Sequence, residues 1–234
     1  MTALDAEALK RRAAEAAFTR VRSGMVLGLG TGTTVAHLLD LLGAALVSGE
    51  LEDVVGVPTS VQTEERARRL GVPLIGLHER PRIDLTIDGA DEVSPDLDLI
   101  KGAGGALLRE KMVAQASERL LIIADERKLV RRLGTASPLP VEVVSWGWEA
   151  HVGFLRDWGA VATLRTAADG GPARSDNGQL FLDCRFEGGI EDPYALDRAL
   201  SQRAGVVETG LFLGLADEAL IASAGGIQTM RKAP

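Results

Sequence analysis

Apolar residues cluster along the first half of the chain in short unbroken runs. Between the runs they return at every third or fourth position. The first pattern reads as a strand buried on both faces, the second as a helix with one apolar face. On this basis residues 5–21 form an amphipathic helix, Met25–Leu29 a strand and Thr33–Leu46 a helix. Val54–Val57 then reads as a strand, Ser60–Leu70 as a helix, and Pro73–Leu77 and Ile83–Asp88 as strands. Gly105–Ala116 reads as a helix and Arg119–Ala124 as a strand. Strands alternating with helices of this length imply βαβ units around a mostly parallel sheet.

The pattern changes near Pro138–Pro140. Val141–Ser145 reads as a strand, Trp148–Trp158 as a helix and Ala160–Arg165 as a strand. A loop carrying the turn signal Asp176-Asn177-Gly178 follows. Gln179–Arg185 (strand), Tyr194–Arg203 (helix) and Val206–Thr209 (strand) complete a β-α-β-β-α-β order, the ferredoxin-like split unit. The predicted fold is therefore α/β. Residues 1–137 with 210–234 make a Rossmann-like, mostly parallel sheet domain, and 138–209 make a smaller α+β domain. The apolar run Ala219–Ser223 is expected to return to the large sheet.

Composition narrows the function. The 234 residues carry a net charge of -7 and a pI near 5.1, so the chain has no general attraction for nucleic acid or an anionic membrane. A phosphorylated ligand would need a local cluster of donors. Cys184 is the only cysteine, which excludes an internal disulfide and fits a reducing cytosol. No apolar run is long enough to span a bilayer, and Met1–Arg22 lacks the apolar core of a signal peptide. The expected compartment is the cytoplasm. Lysine is scarce (Lys10, Lys101, Lys111, Lys128 and Lys232), and three of the five fall in or beside the most glycine- and acid-punctuated stretch.

Ligands of parallel sheets bind at the carboxyl ends of the strands. Three punctuated segments, Gly30–Thr34, Asp88–Asp91 and Asp125–Lys128, follow directly on predicted strands and should converge there. Gly28-Leu29-Gly30-Thr31-Gly32-Thr33-Thr34 opens a helix, where backbone N–H groups and hydroxyls bind phosphate. The same residues also suit a tight strand-to-helix turn with a threonine cap. The segment lacks the third glycine of the dinucleotide fingerprint and the Gly-Lys-Ser/Thr of a P-loop. Asp88-Gly89-Ala90-Asp91-Glu92 sets three carboxylates at a strand end, where solvated acids are also common. Lys101-Gly102-Ala103-Gly104-Gly105 is a glycine-rich loop opening the helix that bears Glu110 and Lys111; beside Arg109 those two also suit a solvated helix face. His37, His78 and His151 lie outside these segments and no pair has metal-ligand spacing. Acid–base work then falls to carboxylates and lysine. No metal or other cofactor is expected.

Together these segments resemble type A ribose-5-phosphate isomerase, from Leu9-Lys10 to Gly225-Gly226. Gly30–Thr34, Asp88–Glu92 and Lys101–Lys111 carry the resemblance most specifically, with Pro138–Val143 and Asp176-Asn177-Gly178 in support. The resemblance implies that Thr31, Gly32, Thr33 and Thr34, with Lys10 and Lys128, hold the substrate phosphate. It implies that Asp88, Asp91 and Lys101 contact the sugar hydroxyls and assist ring opening. Gly89 and Ala90 would belong to the same substrate loop, Gly102, Ala103 and Gly104 would supply backbone donors, and Glu110 would be the general base. Ala103 stands where many members have glycine, which matters only if that residue needs a positive φ.

The implied reaction interconverts D-ribose 5-phosphate and D-ribulose 5-phosphate through an enediolate, as in non-oxidative pentose phosphate metabolism. The partner is a small sugar phosphate, with neither nucleic acid nor membrane. Self-association through apolar surface on the small domain would give a homodimer or homotetramer. Two other readings stay open on the residues. One is a CoA transferase or amino-sugar phosphate deaminase on the same general fold; the other is a non-catalytic sugar-phosphate sensor.

Overall fold

The computed structural model describes residues 3–80 and 82–232. In chain order the elements are α1 (Ala3–Phe18), β1 (Val26–Leu29), α2 (Thr33–Ser48), β2 (Val55–Pro58), α3 (Val61–Arg69), β3 (Leu85–Asp88), β4 (Glu92–Val93) and β5 (Leu99–Ile100). Then come α4 (Leu107–Gln115), β6 (Leu120–Asp125), a 3₁₀ turn (Glu126–Lys128), β7 (Leu139–Val143), α5 (Glu149–Asp157), β8 (Ala160–Leu164) and β9 (Leu180–Phe186). The chain ends with α6 (Pro193–Ser201), β10 (Val206–Thr209), β11 (Leu211–Phe212), β12 (Glu218–Ser223) and β13 (Gly226–Arg231).

The described residues form two compact units, with those up to 90, 109–128 and those from 215 onward in one, and 91–108 and 129–214 in the other. The first is built on a sheet of order β13-β12-β6-β3-β1-β2, in which only β13 runs antiparallel to its neighbour. Its middle strand β6 is buried at every position, as expected of a strand covered on both faces. Leu27, Leu29, Leu38, Leu42, Ile87 and Ile123 lie in its core. The run 219–223 does return to this sheet, as β12 beside β6.

The second unit holds an antiparallel sheet of order β10-β7-β9-β8, the ferredoxin-like arrangement, with α5 and α6. It also holds a sheet of two-residue strands, β11-β5-β4. That small sheet ties residues 91–108 to this unit, because β5 pairs with β11. The sequence-based boundary at 138–209 assigned those residues to the other domain.

One expected strand does not form. Pro73–Leu77 makes an isolated bridge at Leu74 and two backbone bonds to Gly56. The chain then turns away at Gly76, whose N–H is taken by the Glu79 carboxylate at 2.7 Å. The terminal hairpin strand β13 is absent from the hydrophobic pattern because it is a largely exposed edge strand.

Candidate active site

In the first unit the neighbouring parallel strands β1, β3 and β6 end in the segments 30–34, 88–90 and 125–128. The chain leaves β1 toward β2 on one side, and β3 and β6 lie on the other. A switch of direction of this kind opens a ligand crevice in parallel sheets.

Asp88, only 1% exposed, is the hub of that edge. Its Oδ1 accepts from the Thr31 N–H at 3.1 Å and from its neighbour Gly89 at 2.7 Å. Gly30 permits this: a Cβ there would strike the Asp88 carboxylate and stand 2.6 Å from its Cα. Gly32, at φ 115°, turns the chain into α2 and leaves its N-terminus without a side-chain cap. The first-turn N–H groups, including those of Thr33 and Thr34, are suited to an anion.

The Thr31 hydroxyl faces the other way. It donates to Ser60 Oγ at 2.8 Å and lies 2.8 Å from Thr59 Oγ1 and 3.2 Å from Thr63 Oγ1. Thr59 passes its own proton to the Leu29 carbonyl, and Thr63 passes its own to the Gly30 carbonyl. Each hydroxyl has one proton, and these are used in fixing the loop. Thr31 thus anchors the turn, while Thr33 stands exposed at its mouth.

Lys10, on α1, donates to Glu7 at 3.2 Å, and the same carboxylate meets His37 Nε2 at 2.6 Å. His37 lies one turn beyond Thr33, so the bridge ties Lys10 to the start of α2. Lys128 closes the 3₁₀ turn after β6, half-buried. Beside it burial works to raise the Asp125 carboxyl, but hydrogen bonds and charge from Arg127 outweigh that and hold it below its ordinary value. Arg127 makes that grip at 2.6 and 2.8 Å.

Glu110 lies in the first turn of α4 and is 5% exposed; Lys111 beside it is 6% exposed. Leu107, Glu110, Lys111 and Ala114 are all buried, at the spacing of a helix's inward stripe. Two charged residues thus occupy positions that a plain structural helix fills with apolar ones, and the solvated-face reading does not hold. Burying a charge without a use is costly.

In the second unit β4 and β5 form a hairpin whose ends bear Asp91 and Lys101. Asp91 donates its N–H to the Ile100 carbonyl at 2.8 Å, and its Oδ2 accepts the Ala103 N–H at 2.9 Å. Lys101 is 2% exposed, its N–H held by Gly210 at 2.9 Å and its ammonium 5.4 Å from the centre of the Phe212 ring. Gly102 has φ 105° and Gly105 φ 80°. Ala103 is not among the residues with positive φ, so the methyl there strains nothing. Its N–H is engaged by Asp91, which leaves Gly104 as the more accessible backbone donor of the loop.

Two groups to which sequence reasoning gave no role of their own shape this unit. Glu92, fully buried, accepts the N–H groups of Gly134, Ala136 and Ser137, each at 2.6 Å. The third carboxylate of the acidic segment is therefore a structural anchor. Arg165 donates to the carbonyls of Gly102 and Ala103 at 3.1 and 3.2 Å. No local signal distinguishes that arginine from a solvated one at a strand end.

The first unit thus holds a buried carboxylate, Glu110, and a helix start without a side-chain cap at α2, and the second, taken by itself, holds a buried ammonium, Lys101, beside a glycine loop. The chain also matches known proteins along its length. Residues 55–226 match the model of the family described as ribose 5-phosphate isomerase A (phosphoriboisomerase A). A ribose-5-phosphate isomerase A of Chloroflexus aurantiacus is 51% identical over 228 residues, covering 97% of this chain and 95% of that protein. The solved ribose 5-phosphate isomerase of Plasmodium falciparum superposes with TM-score 0.93 at 39% identity, covering 97% of this chain and 100% of that one. A D-ribose-5-phosphate isomerase solved in complex with phospho-erythronic acid gives TM-score 0.94 at 38% identity, covering 97% and 99%.

Proposed function

The chain belongs to the ribose 5-phosphate isomerase A family, and from that premise we propose how its residues carry out the reaction. It is an aldose–ketose isomerase that interconverts D-ribose 5-phosphate and D-ribulose 5-phosphate. The observation that carries the residue assignment is the burial of Glu110 on the inward stripe of α4, immediately after the glycine loop.

Glu110 takes the proton from C2 of the open-chain aldose. The electron pair moves into C1–C2, and charge develops on the former aldehyde oxygen. The hydroxyl proton on O2 passes to O1, Glu110 returns its proton to C1, and the carbonyl is left on C2. One carboxylate serves as base and then as acid, so no redox cofactor is required. Lys101 and the loop N–H groups of Gly102 and Gly104 stabilise the oxyanion, a contribution of about 3 kcal/mol per well-placed donor, while the Ala103 N–H stays on Asp91. Asp88 and Asp91, with the Gly89-Ala90 turn, receive the sugar hydroxyls and assist ring opening. The start of α2 at Gly32, Thr33 and Thr34, with Lys10 and Lys128, holds the phosphate. Thr31 fixes that turn from beneath. Remote grip on the phosphate orients C1 and C2 over the base.

The pathway context is non-oxidative pentose phosphate metabolism in the cytoplasm. Among the described residues no helix is long and apolar enough to cross a membrane, and the one cysteine is buried. Trp146, Val161 and Tyr194 expose apolar surface on the second unit, which fits self-association as a homodimer or homotetramer. A coupled isomerase assay tests the proposal. Ribose 5-phosphate should turn over and free ribose should not; equal rates on the two sugars would remove the phosphate grip from the account.

A further inference from the structure

We propose that Arg165 is a positioning residue for the isomerisation: it holds the Gly102–Gly104 loop so that the Gly104 N–H faces the developing oxyanion. The inference rests on the functional reading above and adds a residue outside every segment that reading uses.

Arg165 Nη1 donates to both the Gly102 and the Ala103 carbonyls. In a trans peptide the carbonyl and the following N–H point in opposite directions. The Gly102–Ala103 plane is therefore held at both ends, its oxygen on Arg165 and its N–H on the Asp91 carboxylate. The Ala103–Gly104 plane is held by its oxygen, which turns the Gly104 N–H away from Arg165. Gly102 reaches this conformation at φ 105°, and the loop closes with a bond from the Gly105 N–H to the Gly102 carbonyl at 3.0 Å.

Arg165 is itself locked. Its Nε and Nη2 bind the two oxygens of Asp183 at 2.9 and 2.5 Å, a parallel two-point pair. Its guanidinium lies 4.6 Å from the centre of the Phe181 ring, and that same ring would meet a Cβ at Gly105 at 3.5 Å. The backbone is fixed as well: the Arg165 N–H bonds the Phe181 carbonyl at 2.9 Å. The planar fork binds one carboxylate and two carbonyls at once, which a lysine cannot do. A cation on a peptide oxygen also polarises the attached N–H, so each held peptide becomes a stronger donor toward an anion. Direction and strength of the loop's donors both depend on this side chain.

The test compares wild type with Arg165→Ala, Arg165→Lys and Asp183→Asn in four measurements. These are kcat, KM for ribose 5-phosphate, inhibition by inorganic phosphate, and inhibition by phospho-erythronic acid, whose carboxylate stands in for the enediolate oxygens. Misplacing such donors by about an ångström costs on the order of 10²-fold. Arg165→Ala and Arg165→Lys should each lower kcat by about 10- to 100-fold. The affinity for phospho-erythronic acid should fall with it, while inhibition by inorganic phosphate changes less than about threefold. Millimolar guanidinium should restore part of the Arg165→Ala activity. If Arg165→Ala does not fold, Asp183→Asn decides, with an expected loss of about threefold or more in kcat. A wild-type kcat in these variants, or a parallel loss of phosphate binding, overturns the proposal. Wild type inactive on ribose 5-phosphate would instead overturn the functional reading.

Discussion

Glu92 offers the sharpest separation of structure from chemistry within the acidic segment. Its carboxylate, buried at the start of β4, accepts three backbone N–H groups from residues 134–137. Glu92→Gln keeps the size but gives one side of the group two N–H donors. If the amide oxygen keeps Ala136 and Ser137, the amide nitrogen must face the Gly134 N–H, donor against donor. One bond is lost with a buried donor unsatisfied, at about 1–3 kcal/mol, and two bonds lose charge assistance at about 1 kcal/mol each. Relief of burying a charge offsets part of this, which leaves about 2–4 kcal/mol. For a chain of this size each kcal/mol moves Tm by about 2–4 °C, so a fall of roughly 5–15 °C is expected. A thermal melt followed by circular dichroism reads the shift, and the isomerase assay at 25 °C should give kcat within about twofold of wild type. A Tm within about 2 °C of wild type would refute the anchoring argument. A 100-fold loss of kcat in folded protein would move Glu92 into the chemistry.

Lys128→Ala should raise KM for ribose 5-phosphate more than it lowers kcat, because a phosphate contact is shared by ground and transition states; an unchanged KM would make it a surface lysine. The pH dependence of stability should carry a contribution from Glu142, whose carboxyl is raised by burial and by the Glu208 and Asp176 charges against hydrogen bonds from Ser175 and Asn177. The folded state holds that proton more tightly than the unfolded chain, so the contribution is fully present below the ordinary carboxylate pKa and is lost as pH rises through the folded value. Glu142→Gln should therefore narrow the stability difference between pH 5 and pH 8 in thermal melts; an unchanged difference would contradict the assignment.

The parallel sheet was legible because strands such as β6 are unbroken apolar runs, and the ends of those strands announced the punctuated segments. The hairpin β4–β5 with β11 was not, since two-residue strands carry no periodicity. Their pairing decides which unit residues 91–108 belong to. Among the site groups, the burial of Glu110 and Lys111 contradicts what charged neighbours on a helix ordinarily signify. The roles of Glu92 and Arg165 depend on partners more than 40 residues away in the chain, so no local pattern could expose them. Thr31 was legible as part of the turn, but the inward direction of its hydroxyl depends on Thr59, Ser60 and Thr63 beyond β2.

The central claim is that Glu110 carries the proton, and Glu110→Gln tests it most directly because the change keeps shape and removes the base. Steady-state kinetics on ribose 5-phosphate should show kcat reduced by about 10²–10⁴-fold with KM little changed, and melting close to wild type. Near-normal kcat in the folded variant would contradict the account and pass the role to another group, with Asp91 the next candidate.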